Sequence, residues 1–135
     1  IFELTDWRHE LVGAFSHGMR PRLAMASAFL HRPKLLLVDE PLVGLDPRGA
    51  HLMKQIFRKA RDQGMTIFMS THVLEMAEGV CDRVSILQRR KILAQGTLEE
   101  LQKKAQTPER SLEAIFLKLT GGKSVDELAG ALKIT

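Results

Sequence analysis

The chain predicts an α/β fold of parallel strands flanked by helices, with the end of a helical segment in front and a hairpin and further helices behind. Three observations carry this. Leu35-Leu36-Leu37-Val38 is an unbroken aliphatic run ending in Asp39-Glu40, as suits a strand buried on both faces of a parallel sheet. Thr66-Ile67-Phe68-Met69-Ser70-Thr71 is a second such run, ending at His72. Between them, Asp46-Pro47 and Gly64 bracket one helix-length segment, the crossover that a parallel pair requires.

In chain order, residues 1 to about 12 place Leu4, Trp7 and Leu11 at helical spacing, which predicts the end of a helix with Trp7 in the core. The stretch 19–31 is apolar nearly all round, through Leu23, Ala24, Ala26, Ala28 and Leu30, and predicts a helix buried between layers. His31 and Arg32 suit its C-terminus. Arg20 and Arg22 instead put positive charge at the positive end of the macrodipole, which calls for a nearby anion or for screening by solvent. Asp46 as N-cap, Pro47 at the first helical position and Gly64 as stop define a helix over roughly 47–63, with Leu52, Met53, Ile56, Phe57 and Ala60 facing inward. A short helix over about 73–79 follows, then strands near 83–88 and 91–95 joined through Arg89-Arg90 as a hairpin. Thr97-x-x-Glu100 is a capping box opening a helix to about Ala105, and Leu112, Ile115, Phe116 and Leu119 mark another. Ser124-x-x-Glu127 opens a short last helix.

With 135 residues, 44% of them hydrophobic, the chain holds one domain or part of one. The single Cys81 excludes an internal disulfide and a Cys-x-x-Cys metal site, and suits a reducing cytosol. Nothing approaches the ~20 consecutive apolar residues of a membrane span, and no charged-then-apolar leader is visible, so a membrane role is expected to come through a partner. The net charge of +4 is scattered rather than striped. Arg58, Lys59 and Arg61 form the solvated side of a helix, and Arg89-Arg90-Lys91 decorate a turn. With no tyrosine and no aromatic–basic interleaving, no nucleic-acid partner is expected.

The chemistry concentrates at strand ends. Asp39 and Glu40 fall at the carboxyl end of the first strand, where ligands of such folds bind. Adjacent carboxylates repel each other unless a cation or a protonation role offsets it, which makes Mg²⁺ with a phosphate ligand the natural partner and a solvated acidic turn the alternative. Ser16 and Gly18 precede a helix whose unpaired N–H groups favour phosphate. A Gly-x-x-x-x-Gly-Lys-Ser/Thr loop occurs nowhere in the 135 residues. Gly121-Gly122-Lys123-Ser124 lacks the leading glycine and reads as a helix stop followed by the next cap.

The succession of Phe15-Ser16-His17-Gly18-Met19, Leu35 to Glu40, Gly44-Leu45-Asp46-Pro47 and Ser70-Thr71-His72 resembles the ATP-binding subunits of ABC transporters, which have a P-loop NTPase core. In that family these pieces are the signature motif, Walker B, D-loop and switch histidine. All four stand here in the family's order, and the resemblance covers nearly the whole chain. The wording around Ser16 and Asp46 is similar to exporter-type subunits that serve small hydrophobic compounds or drugs. His17 and Met19 depart from the common Leu-Ser-Gly-Gly-Gln, and Pro21 stands where a polar residue is usual, while Ser16 and Gly18 are retained.

The resemblance implies ATP and Mg²⁺ as cofactors. Asp39 would position the metal, Glu40 would polarise the attacking water, and His72 would sense the γ-phosphate. Ser16 and Gly18 would close over ATP held by a second ATPase domain in a head-to-tail homo- or heterodimer, with Asp46 near the seam. The implied partner is a transmembrane transporter subunit, and the implied location is cytoplasmic, peripheral at the inner face of the cell membrane. Because family members carry a phosphate loop and a glutamine loop well upstream of the signature, the resemblance further implies a sequence truncated at its N-terminus. Residues 1–32 would then be the end of a helical subdomain, 33–96 the core and 97–135 a C-terminal helical segment, all within one ATPase domain. A non-transport ABC ATPase, or a non-catalytic fragment unable to bind ATP alone, remain alternatives.

Overall fold

The computed structural model describes residues 2–122. The last helix expected from Ser124 and Glu127 lies outside them. The chain divides into two compact units after His72.

The first unit opens with two short 3-10 turns, Thr5–Trp7 and Val12–Ala14, followed by α1 (Met19–Leu30), β1 (Leu35–Asp39), α2 (Pro47–Asp62) and β2 (Thr66–Ser70). β1 and β2 pair in parallel, Leu36 opposite Ile67, Val38 opposite Met69 and Asp39 opposite Ser70. α2 supplies the crossover. Asp46 caps it by accepting from the Gly49 N–H at 2.8 Å, and Gly64, at φ +89°, takes the chain into β2. Gly49, Met53, Phe57 and Ala60 are its buried residues, and each large side chain so placed stabilises by roughly 1.5–3 kcal/mol.

Three expectations of burial fail in this unit. The opening segment is not an α-helix, and Trp7 is 42% exposed, its ring meeting Phe15 edge-on at 6.3 Å. The first two strands are covered on one face only: Leu36 is buried, while Leu37 and Phe68 are 67% and 68% exposed. Helix α1 likewise buries only Met25. Its Phe29 ring lies 6.5 Å from that of Phe57 on α2. The common reason is that aliphatic content reports what a surface can bury, whereas burial needs a second layer, and the described residues supply one layer against each element.

The second unit comprises α3 (Leu74–Val80), β3 (Val84–Gln88), β4 (Lys91–Gly96), α4 (Leu98–Ala105) and α5 (Leu112–Thr120). β3 and β4 form the expected antiparallel hairpin. Its two-residue turn, Arg89-Arg90, takes φ of +47° and +66°, the primed geometry that matches strand twist. A register shift after Ile86 sets Ala94 and then Ile92 against successive residues, which bulges β4 at Leu93. The capping box is complete: Thr97 Oγ1 accepts from Glu100 N at 3.2 Å and Glu100 accepts from Thr97 N at 2.9 Å. Ser111 caps α5, and Gly121, at φ +76°, ends it. Ala77, Ile86, Ala94, Leu101, Ala105, Leu112 and Ile115 close into one core, none more than 6% exposed. Burial, ahead of the charge of Asp82, pushes the Cys81 thiol up, which makes it a packing residue rather than a nucleophile.

Candidate functional site

The parallel register builds the first half of the site. Because Asp39 pairs with Ser70, the next residues on each strand also face one another, and two acidic side chains meet three polar ones. The Ser70 hydroxyl donates to Asp39 Oδ1. The Glu40 N–H extends the ladder to the Ser70 carbonyl at 3.0 Å, and its side chain is then held at three points. Thr71 Oγ1 donates to Glu40 Oε2 at 3.1 Å, while His72 meets Glu40 Oε1 through its backbone N–H at 3.0 Å and its ring Nδ1 at 2.7 Å.

The His72 hydrogen bond is the largest influence on Glu40 and holds its carboxyl below the ordinary carboxylate value, with the Thr71 hydroxyl adding to it and desolvation opposing it. Glu40 therefore stays ionised, as an acceptor must. Its backbone sits at φ +47°, a left-handed conformation rare for a side chain of this size and typical of functional turns. It forces the chain sharply out of the strand: Val43 N returns to the Glu40 carbonyl at 3.1 Å, and Gly44 at φ +81° continues the turn to Asp46.

That turn delivers the second half of the site. Gly18 and Gly44 approach so closely that a Cβ on Gly18 would lie 3.3 Å from the Gly44 carbonyl, and one on Gly44 would meet the His17 ring at 3.1 Å. Only glycine is comfortable at both positions. The Ser16 carbonyl accepts from Met19 N at 3.1 Å and from Arg20 N at 3.3 Å, and Gly18 stands at the N-cap of α1 without a side-chain cap. Of the two first-turn cations of α1, Arg22 finds anions, while Arg20 reaches the Gly13 carbonyl at 3.5 Å rather than a carboxylate. Arg22 reaches Glu3 at 3.2 Å and Asp46 at 3.1 Å, and Arg48 reaches Glu3 at 2.7 Å.

The residues singled out in the sequence thus fall into two groups: Asp39, Glu40 and His72 at the strand ends, and Ser16, Gly18 and Asp46 around the glycine contact. Sequence reasoning missed Ser70, Thr71, Glu3 and Arg22 as members. The signal for Ser70 and Thr71 was present, since two hydroxyls end the run that must pair with the acidic strand. Among the described residues no group of three His, Cys, Asp or Glu side chains is close enough to hold a metal unaided. An exposed carboxylate beside a hydroxyl is a hard-oxygen partial set, which fits Mg²⁺ completed by phosphate and water. Among the described residues no helix is long and apolar enough to cross a membrane.

A family model described as ABC transporter matches residues 2–43, the span holding Ser16, Gly18, Asp39 and Glu40. The chain belongs to this family. It is 36% identical over 121 residues to the uncharacterized ABC transporter ATP-binding protein YthP of Bacillus subtilis, covering 90% of this chain and 51% of that relative. It is 40% identical over 108 residues to the bacitracin transport ATP-binding protein BcrA of Bacillus licheniformis, covering 77% of this chain and 35% of that one. A solved structure described as the ATP binding subunit of an ABC transporter superposes with a TM-score of 0.75 at 34% identity, over 80% of this chain and 45% of that chain. This ABC chain therefore spans about half, or less, of the length of the relatives it matches, and its fold is that of a partial P-loop NTPase core.

Proposed function

We propose that the chain is the C-terminal part of an ABC transporter's ATPase subunit, with Glu40 as the residue that activates water. The observation that carries this reading is the three-point hold on the Glu40 carboxylate by Thr71 and His72 at the carboxyl end of paired parallel strands. Such a carboxylate is ionised, fixed in direction and placed where α/β folds bind ligands. Glu40 accepts hydrogen bonds from its neighbours and presents negative charge to a water that attacks the γ-phosphate. Asp39, fixed by Ser70, would hold Mg²⁺ there. When bound, the metal offsets the phosphates' negative charge. His72 donates Nδ1–H to Glu40 in this arrangement, so a second N–H toward a phosphate is available only from the doubly protonated ring.

Ser16 and Gly18, at a helix start suited to phosphate, act on nucleotide held by a second ATPase domain packed head to tail, with Asp46 at the seam. A transmembrane subunit couples this closure to transport, which places the ATPase at the cytoplasmic face of the membrane. The wording around Ser16 and Asp46 favours an exporter-type subunit serving small hydrophobic compounds or drugs, and the similarity to a bacitracin transport ATP-binding protein is in keeping with transport of a small compound. On this reading residues 1–32 end the helical subdomain, 33–96 are core and 97–135 follow as a C-terminal segment whose described part carries α4 and α5. The 135 residues by themselves hydrolyse ATP negligibly, because their sequence has no phosphate-cradling loop.

The test is Glu40→Gln in the full-length ATPase. The amide keeps the shape and loses the charge, so turnover falls about 10²- to 10⁴-fold while ATP binding and melting temperature stay near parental values. Phosphate release at the parental rate removes Glu40 from the water-activating role.

A further inference from the structure

A half-buried arginine joins three stretches of the first unit. Arg22 lies in the first turn of α1 with its side chain only 14% exposed. One terminal nitrogen donates to Glu3 at 3.2 Å, in the segment before the signature, and the other donates to Asp46 Oδ1 at 3.1 Å, in the D-loop. That same Oδ1 caps α2 through Gly49 N, and Arg48 returns to Glu3 at 2.7 Å. Gly49 is shaped by the arrangement. A Cβ there would lie 2.5 Å from the Arg22 Nη2 and 2.7 Å from Asp46 Oδ1, which accounts for a helix-weakening residue in the first turn of α2.

As a source of stability this is a poor solution. Arg22 Nε is buried without a hydrogen-bond partner, and a partly buried ion cluster of this kind is often no better than apolar packing. What a guanidinium does supply is direction: a planar fork holds two carboxylates from separate segments in fixed geometry, which a lysine cannot do. Together with the Gly18–Gly44 approach, the fork locks the D-loop against the start of α1 at both ends of the contact.

We propose that Arg22 is a positioning residue that clasps the D-loop to the signature helix, so that Ser16, Gly18 and Asp46 meet the opposing nucleotide as one rigid face. The role rests on the ATPase reading above. Arg22 touches no reacting atom and acts through Asp46.

The test uses the full-length ATPase with Arg22→Gln, Arg22→Lys, Gly49→Ala and, as control, Glu40→Gln. Loss of the clasp misplaces the trans-acting face, so Arg22→Gln lowers kcat about tenfold with KM for ATP within about twofold, and Arg22→Lys recovers part of the loss. Gly49→Ala lowers kcat in the same direction with a smaller fall in melting temperature than Arg22→Gln, because the added methyl displaces Arg22 Nη2 and the capping Asp46 Oδ1 while partly offsetting that loss through better helix propensity. Parental kcat in both Arg22→Gln and Gly49→Ala overturns the proposal. So does a fall in Arg22→Gln that only tracks lost melting temperature while Gly49→Ala turns over normally. If Arg22→Gln does not fold, Gly49→Ala decides alone. Parental enzyme without Glu40-dependent turnover sinks the ATPase reading and the role of Arg22 with it, whereas Glu40-dependent turnover indifferent to the clasp variants sinks Arg22 alone.

Discussion

The two units differ in how they hold themselves together. The second closes seven apolar residues from α3, the hairpin, α4 and α5 into one core. The first carries every candidate catalytic residue, yet leaves Leu35, Leu37 and Phe68 of its parallel pair exposed and fixes its loops largely by polar contacts. The first unit still buries Met53 and Phe57 behind its strands, but its candidate site lies on the side that packing leaves open. Side chains that meet a nucleotide on the proposed reading stay near solvent, where hydrogen bonds and ion pairs give direction but little net stability.

Truncations in the closed core of the second unit and on the open strand face of the first should separate them most. Leu112→Ala, at a fully buried site, is expected to cost about 2–5 kcal/mol, while Phe68→Ala on the open face of β2 costs under about 0.5 kcal/mol. Urea unfolding of the 135-residue chain measures both, and equal losses would erase the distinction.

The two helix caps sharpen the same contrast at smaller scale. Thr97→Ala removes the hydroxyl of a capping box whose other member, Glu100, lies 3.6 Å from Arg83, and should cost about 1 kcal/mol by thermal or urea unfolding. Asp46→Ala removes a cap that also pairs with Arg22, so its loss should be about 2 kcal/mol and should shrink in an Arg22→Gln background. Simple additivity of the two substitutions would mean that the cap and the ion pair are independent.

The smallest expected effect concerns pH. Glu40 is held below the usual carboxylate value chiefly by His72, so its ionised form is favoured in the folded chain. The sign follows: its contribution is present above the ordinary glutamate value and is lost as pH falls through the lowered one. Carbonyl-carbon NMR titration should place the Glu40 midpoint below that of solvated glutamates, and His72→Ala should move it upward. An unmoved midpoint would assign the shift to another neighbour.

What could be read from the sequence was mostly local. Asp46-Pro47 and Gly64 bounded α2 to within a residue or so, Arg89-Arg90 marked the hairpin turn, and Thr97-x-x-Glu100 opened α4 where the capping box formed. Each is decided by chemistry within a few residues. The order of the Ser16, Asp39, Asp46 and His72 motifs carried the family in the same way. Exposure was not legible, because Leu37 and Phe68 have the composition of core residues whether or not a layer covers them. Nor was the clasp. Arg22 announced only an unsatisfied demand for an anion, and Glu3 and Asp46, nineteen and twenty-four positions away, could be named only once the chain had folded back.

The parallel register also bears on the order in which the molecule assembles. Ser70 meets Asp39 across 31 positions, with all of α2 in between, whereas the hairpin of β3 and β4 closes over two residues. Hairpins form in about 1–10 μs, and contacts that need a long loop to close come later, because the chain loses that entropy before the contact repays it. During synthesis or refolding the carboxylate cradle should therefore be among the last parts completed, so that on the proposed reading a partly folded chain has no positioned Glu40 with which to activate water.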